Sequence, residues 1–346
     1  MDMYKKTFVP VPMCWVGPIK ISGNIMEETI TVPLATHETP LWYSVNRGAK
    51  ISMLCQEGIR TTFIDERMSR SILLESSHAE VALATIKQIE LHRDEMQIIV
   101  QSTSNFAKLI DFHYQIAANL LFIRFEFLTG DAAGHNMVTK AAEALMNWIL
   151  VKWPDLRYCS ISGNLCSDKK ATAVNGLMGR GKNIITEIVI SRDICKKYLR
   201  TSPEKIVELN IRKNLIGTVL AGGVRSANAH FANMLLAFYI ATGQDAANII
   251  EGSQGLTHTE IRDDSLYFSC TLPNIILGTI GNGKKSPAIE ENLKALGCIE
   301  ERELGVNSRR LAAICATTVL CGELSLIAAQ TNPGELMKSH IHLERA

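Results

Sequence analysis

The sequence predicts an α+β fold, a large mixed helical domain with a smaller ferredoxin-like unit inserted into it. Three observations lead there. The 346 residues are 47% hydrophobic, enough for a large core and two domains. Residues 76–162 alternate helical and extended patterns in the order of a compact α+β sandwich. From about 171 onward the pattern is mostly helical, with an Ala- and Gly-rich stretch from Asn214 to Gly243 that suits close helix packing. The expected partition is 1–75 with 171–346 as the large domain, 76–161 as the small one, and 162–170 crossing between them.

Residues 7–35 read as short extended pieces with turns at Pro10, Pro12, Pro18 and Gly23-Asn24, closing on Thr29-Ile30-Thr31-Val32. A helix is expected after Thr36-His37-Glu38, through Leu41 to about Cys55. In the inserted unit, Ala79 to Leu91 reads as helix and Gln97 to Thr103 as strand. Leu109 to Ala117 and Leu120 to Phe127 read as strands joined by a tight turn. Ala133 to Val151 is an amphipathic helix, and Tyr158 to Ser162 returns as a strand. Ser269 to Ile280 ends in a glycine turn. Leu311 to Ala329 is apolar apart from Glu323 and a few small polar residues, long enough to imitate a membrane span. Gly322 within it and Pro333 after it favour a buried helix.

The net charge of +1 gives no broad electrostatic case for nucleic acid or a membrane surface. Nine cysteines show no CxxC pair and no metal-ligand spacing, so free thiols in a reducing cytoplasm, and no metal, are expected. The opening Met1-Asp2-Met3-Tyr4-Lys5-Lys6 lacks an apolar signal core.

The richest motif is Ser162-Gly163-Asn164-Leu165-Cys166-Ser167-Asp168-Lys169-Lys170. A lysine in such a loop can hydrogen-bond a developing oxyanion, and a neighbouring aspartate keeps it charged. Gly278 to Lys285 and Gly176 to Asn183 nearly fit a P-loop, but neither has the Ser/Thr after the lysine that would hold Mg²⁺. No GxGxxG fingerprint follows a strand. Thr129 to Met137 opens the long helix with small residues whose amides suit a pyrophosphate; plain N-capping by Asp131 explains the same residues. Taken singly, Glu38, Asp245 and His340 read as solvated or hydrogen-bonded structural groups. His230 and Asn233 share a helix face, where a satisfied buried histidine is the simple reading. His135 and His37 carry no constellation of their own.

Together the segments resemble the class I form of the 3-hydroxy-3-methylglutaryl-coenzyme A (HMG-CoA) reductase family, from about Val9 to the Lys338-Ser339-His340 tail. The pieces that carry the resemblance include Val32 to Glu38, Ser44-Val45-Asn46-Arg47-Gly48, Gly130 to Met137, Ser162 to Lys170, Gly179-Arg180-Gly181-Lys182, His230 to Asn233, Gly243-Gln244-Asp245, Cys270-Thr271-Leu272-Pro273 and Gly322-Glu323-Leu324-Ser325-Leu326. That family reduces a thioester to an alcohol with two hydrides, releasing coenzyme A and mevalonate. The resemblance implies Lys169 as oxyanion stabiliser, Glu38 as proton donor, Asp245 between them, and His340 as the acid for the departing thiolate. It implies Ser162, Asp168, Lys170, Lys213, Asn233 and Leu326 around the acyl group, and Ser44, Asn46, Arg47 and Arg200 around coenzyme A. The dinucleotide would meet Ser104, Asn105, Phe106, Asp131, Gly134, Asn136, Met137, Ile280 and Gly281. A homodimer with the site at the subunit interface is also implied.

The chain departs from the family pattern at several points. Asn105 stands where an arginine usually helps bind the 2′-phosphate, so NADPH is expected with NADH as the alternative. Glu75 stands where the best register places an arginine at the substrate mouth. Thr39-Pro40 follow Glu38 in place of a glycine, and a segment usual upstream of Val9 is not found, so a trimmed N-terminal region is expected. These changes leave two rival readings: a reductase of a related branched acyl-CoA, and a non-catalytic homologue that binds coenzyme A or a dinucleotide.

Overall fold

One strand runs through both parts of the molecule. In the computed structural model, which describes residues 7–344 and the side chains among them except at 339, 340 and 342–344, β3 spans Ile59–Glu75. It follows β1 (Met13–Gly23) and β2 (Glu28–Ala35). Its first half pairs in parallel with β1 and antiparallel with β7 (Gly181–Ser191), through Arg60 to Arg67. Its second half, Met68 to Glu75, pairs antiparallel with β5 (Leu120–Leu128), and Ile72 to Glu75 also pair with β6 (Arg157–Ile161). With β4 (Lys108–Ala117), β8 (Leu256–Arg262) and β9 (Ser265–Ile275) the order is β2-β1-β3-β7-β9-β8 on one side and β4-β5-β3-β6 on the other.

Each side has its own core. The larger gathers Ile19, Ile21, Val32, Leu34, Ile184, Ile188, Phe268 and Leu272 around the helix Val306–Gln330. From Arg310 to Ala329 that helix is buried at every position but Leu326, as its largely apolar composition demands. It is long and apolar enough to cross a membrane, yet 94% of its most apolar window lies inside the protein. Gly48, on the helix Pro40–Leu54, packs on the Cys321 backbone with no room for a Cβ. Pro40 occupies the first helical turn, where a missing N–H costs nothing. The smaller core lies between Phe112, Ile123, Phe125 and Phe127 of the sheet and the helices Ala79–Glu90, Arg93–Thr103 and His135–Lys152. Met68, Ile72 and Leu74 of β3 belong to it.

One expectation fails. Gln97–Thr103 is not a strand but the end of the helix Arg93–Thr103. The run Ile98-Ile99-Val100 imitates a strand, but only Met96 and Val100, one turn apart, are buried, and Asp94 and Glu95 favour a helix N-terminus. The region after 171 is mainly helical, as expected, but it also supplies β7, β8 and β9 to the centre and edge of the larger sheet. In β7 every second residue, from Lys182 through Ile184, Thr186 and Ile188 to Ile190, is buried, a period of two. The architecture is mixed α+β.

Candidate active site

The loop after β6 is held from below by Arg124, fully buried on β5. Its guanidinium donates to the Leu165 carbonyl (3.1 Å) and the Gly179 carbonyl (2.7 Å), with Glu126 as its ion-pair partner at 2.9 Å. Asn175 adds a donor to the Ser167 carbonyl at 2.9 Å. Thus anchored, the loop turns through a left-handed Lys169 (φ 56°), a conformation disfavoured for a side chain with a Cβ. The Lys169 N–H is received by Glu251 Oε1 at 3.0 Å.

That turn aims Lys169 at Asp245, with Nζ to Oδ2 at 2.7 Å. Asp245 uses its other oxygen to accept the Ala247 N–H at 3.1 Å, which caps the turn Ala246–Asn248 and fixes the carboxylate. The hydrogen bond that Lys169 donates to Asp245 raises the lysine pKa against its desolvation, so the lysine stays an ammonium. Burial pushes the Asp245 carboxyl up, but the Lys169 and Ala247 hydrogen bonds outweigh it and hold it below the usual range. Both side chains remain partly exposed, at 39% and 44%, so this pair contributes little to stability and is open to a ligand.

The pair faces a cavity of about 640 Å³. Of the residues expected around a dinucleotide, Gly134, Asn136, Met137, Ile280 and Gly281 line it. Gly134 precedes the helix His135–Lys152, which has no side-chain cap, so its first N–H groups are orphans that suit a phosphate. Gly281 has φ 103° and nothing within 4 Å of a Cβ position, leaving backbone open to a ligand. Asp131 does not line the cavity. Its carboxylate accepts the Gly305 and Ser308 N–H groups (3.1 and 2.9 Å) at the start of the helix Val306–Gln330, so it caps another helix. Ser104, Asn105 and Phe106 lie just past the helix Arg93–Thr103, with Ser104 Oγ accepting the Phe106 N–H at 3.2 Å. Gln244 braces the floor, taking the Gly278 N–H and giving to its carbonyl (2.9 and 3.1 Å). Lys284 also lines it; burial lowers its pKa to about 8.

A second cavity, of about 340 Å³, is lined by Glu38, Ser44, Arg47, Asn233 and Leu326, together with His230. Arg47 meets Glu335 at 3.0 Å and the Ser325 carbonyl at 3.1 Å. The Arg200 carbonyl accepts from Asn332, which also reaches Glu335 (2.8 and 3.2 Å), so Arg200 and Arg47 belong to one polar cluster. Buried Glu323 receives the Ala229 N–H (2.6 Å), the His230 N–H (3.1 Å) and the Thr257 hydroxyl (2.9 Å), which fixes His230. His230 has a partner at each ring nitrogen, the Gly322 carbonyl (3.0 Å) and Asn233 (3.4 Å).

The remaining expected residues are spread around these centres. Asp168 sits 2.9 Å from Arg180, and Lys170 is exposed and turned back onto the Asp168 carbonyl at 3.0 Å. Ser162 Oγ accepts the Asn164 N–H at 3.1 Å and lies 3.2 Å from the Cys166 thiol. Asn46 Oδ1 receives the Gly17 N–H at 3.2 Å, a strut to β1. Lys213 donates to Asn214 at 3.2 Å, and burial lowers its pKa against the pull of Glu323. Glu75 lies at the far end of β3, paired with Leu120 and Arg157 and accepting from Asn119 at 3.1 Å; Arg70 is the arginine that lines the larger cavity. The side chain of His340 lies outside the described residues.

The sequence reading missed three groups. His135 lines the larger cavity with Nε2 4.0 Å from Asp168. Arg180 and Glu251, both fully buried, flank the lysine loop. Arg180 and His135 stand inside the motifs Gly179-Arg180-Gly181-Lys182 and Gly130 to Met137, but nothing local to Glu251 signals a role, because its partners Lys169 and Arg180 are distant in sequence.

Comparison with known proteins identifies the family. A family model described as hydroxymethylglutaryl-coenzyme A reductase matches residues 7–345. The 3-hydroxy-3-methylglutaryl-coenzyme A reductase of Pyrococcus horikoshii is 44% identical over 324 residues, 93% of this chain and 78% of that protein. The enzyme of the same name from Aeropyrum pernix is 39% identical over 339 residues, 97% of this chain and 80% of its own. Among solved structures, the class II reductase of Streptococcus pneumoniae bound to NADPH in open conformations superposes with a TM-score of 0.73 at 19% identity, over 96% of this chain and 88% of that one, a likeness of fold. The chain belongs to the hydroxymethylglutaryl-coenzyme A reductase family.

Proposed function

We propose that the chain reduces the thioester of HMG-CoA to mevalonate and releases coenzyme A, as a class I-like enzyme of isoprenoid synthesis in the cytoplasm. The observation that carries this reading is the Lys169–Asp245 ion pair facing a cavity lined by uncapped helix amides. An ammonium held charged by a fixed carboxylate suits a carbonyl oxygen that gains negative charge as hydride arrives.

In this scheme Lys169 Nζ donates to the thioester oxygen and then to the hemithioacetal oxyanion. Collapse expels coenzyme A as a thiolate, and His340 delivers a proton to its sulfur. Glu38 delivers the second proton, to the aldehyde oxygen as it becomes the alcohol. Two hydrides and two protons close the balance. Bound NADPH supplies one hydride in each of two rounds. The orphan amides from Gly134 to Met137 and the open backbone at Gly281 fit its phosphates. Asn105 offers no cation to a 2′-phosphate, but Lys140, whose ammonium reaches the Thr103 carbonyl at 3.0 Å, brings one to that end of the helix. NADPH is therefore the proposed donor, with NADH as the comparison.

A homodimer is part of the proposal. Glu38 opens onto one cavity and Lys169 onto another, so a second copy would bring the two together. Exposed Ile216, Val219 and Leu220 offer an apolar surface for it. The large substrate domain (1–75 and 171–346), the connecting loop (162–170) and the ferredoxin-like cofactor domain (76–161) complete the picture. The strand order β4-β5-β3-β6 with helices on one face supports the last.

Steady-state kinetics with HMG-CoA and each reduced dinucleotide, with mevalonate and free coenzyme A measured as products, tests the reading. Two dinucleotides oxidised per mevalonate is the expected result. Absence of turnover with both donors would overturn it.

A further inference from the structure

Glu251 is fully buried, lies outside both cavities and has no part in the chemistry above. One of its oxygens nevertheless carries three hydrogen bonds. Oε1 accepts the Lys169 N–H at 3.0 Å, Asn248 Nδ2 at 3.0 Å and the Arg180 guanidinium at 2.9 Å. Oε2 is buried with no hydrogen-bond partner among the described residues. Each of the three donors leads to the catalytic pair. Lys169 is the ammonium itself, in its left-handed turn. Asn248 ends the turn that Asp245 caps. Arg180 reaches on to Asp168 at 2.9 Å, one residue before the lysine.

We infer that Glu251 is a positioning residue, a single acceptor that sets the backbone of both arms of the Lys169–Asp245 pair. The inference rests on the function proposed above. A carboxylate retained only to neutralise Arg180 would be expected to use both oxygens in a bidentate fork. Here one oxygen is overloaded and the other idle. Burial raises the Glu251 pKa, partly countered by Arg180, in keeping with a group that serves as an acceptor more than as a charge. The task is geometric, because a misplacement of about 1 Å at a catalytic group costs on the order of 100-fold in rate.

The two conservative replacements separate the roles. Glu251→Gln keeps the chain length and an acceptor oxygen but removes the charge. Glu251→Asp keeps the charge but draws the oxygen back by one methylene. If Glu251 positions the pair, the Gln variant keeps kcat within about 3-fold of wild type, while the Asp variant loses about 30-fold or more with both KM values little changed. Hydrogen exchange at the peptide spanning 162–170 provides a second measure that needs no turnover. The Lys169 amide stays protected in wild type and the Gln variant and exchanges faster in the Asp variant. Wild-type turnover of HMG-CoA is the control for the proposed function, so its failure leaves the exchange result to decide the role of Glu251. The inference is overturned if the Gln variant falls as far as the Asp variant, if the Asp variant keeps its rate, or if loop exchange is the same in all three proteins.

Discussion

The cavity that Lys169 faces and the cavity that Glu38 lines are built in opposite ways. The larger is a meeting of loops, where Lys169 is left-handed, Gly281 is open and Lys169 and Asp168 each face an opposite charge, Asp245 and Arg180. The smaller is set into helices, with Leu41, Ala329 and Leu326 as an apolar floor and Arg47 at its rim. The first suits a reaction that moves charge, the second suits holding a long amphipathic ligand. The difference teaches that neither is a whole active site under the proposed chemistry, since the ammonium is in one and Glu38 in the other.

The contrast breaks most sharply at Lys169. Lys169→Ala should lower kcat/KM by about 100- to 1,000-fold with the dimer intact by size-exclusion chromatography; a loss under 10-fold would mean that the pair with Asp245 is structural. The next test asks whether the cavities come together across subunits. Unfolding and refolding a mixture of the inactive Lys169→Ala and Glu38→Gln proteins should restore about a quarter of wild-type activity, because half the dimers are mixed and each has one intact site. No recovery would place both residues in the same chain's site. At the smaller cavity, Arg47→Ala should raise KM for the acyl-CoA about 10-fold while leaving KM for the dinucleotide within about 2-fold. At the larger, Asn105→Arg should shift the NADPH-to-NADH ratio of kcat/KM about 5-fold toward NADPH.

The smallest effect concerns His135. Burial, then the nearby Arg180 and Lys169 cations, lower its pKa below the ordinary 6.5, with Asp168 and Asp245 pulling the other way. A histidine whose folded pKa is depressed contributes stability above 6.5 that is lost as pH falls through the folded value. His135→Gln should therefore flatten part of the fall in Tm between pH 7.5 and 5.5, by about 2 °C; an unchanged slope would show that His135 is protonated without cost.

Much of this was legible in the sequence where local pattern decides structure. β4 and β5 follow from alternation on either side of a tight turn, and the helix Val306–Gln330 from its length and composition. The Asp-Lys-Lys loop was identified by its improbable chemistry, and Asp245 by resemblance. What escaped was either ambiguous locally or nonlocal. Ile98-Ile99-Val100 fits two periods until burial chooses one. The strands after 171 lie among helices, and β7 finds its partner β3 more than 100 residues away. Glu251 and Arg180 stand 71 positions apart, so their ion pair exists only in the fold. Asp131 was read as the cap of the helix it precedes, whereas it caps one more than 170 residues away.

The long strand β3 has a mechanical consequence. It is one girder beneath two roofs, since Ile59 lies in one core and Ile72 in the other. A hinge cannot sit along it without tearing both sheets, so any opening of the molecule to admit ligands falls to the loops. Without β3 the smaller layer has no central beam to pair β5 with β6, so in the intact chain the two halves should melt as one body.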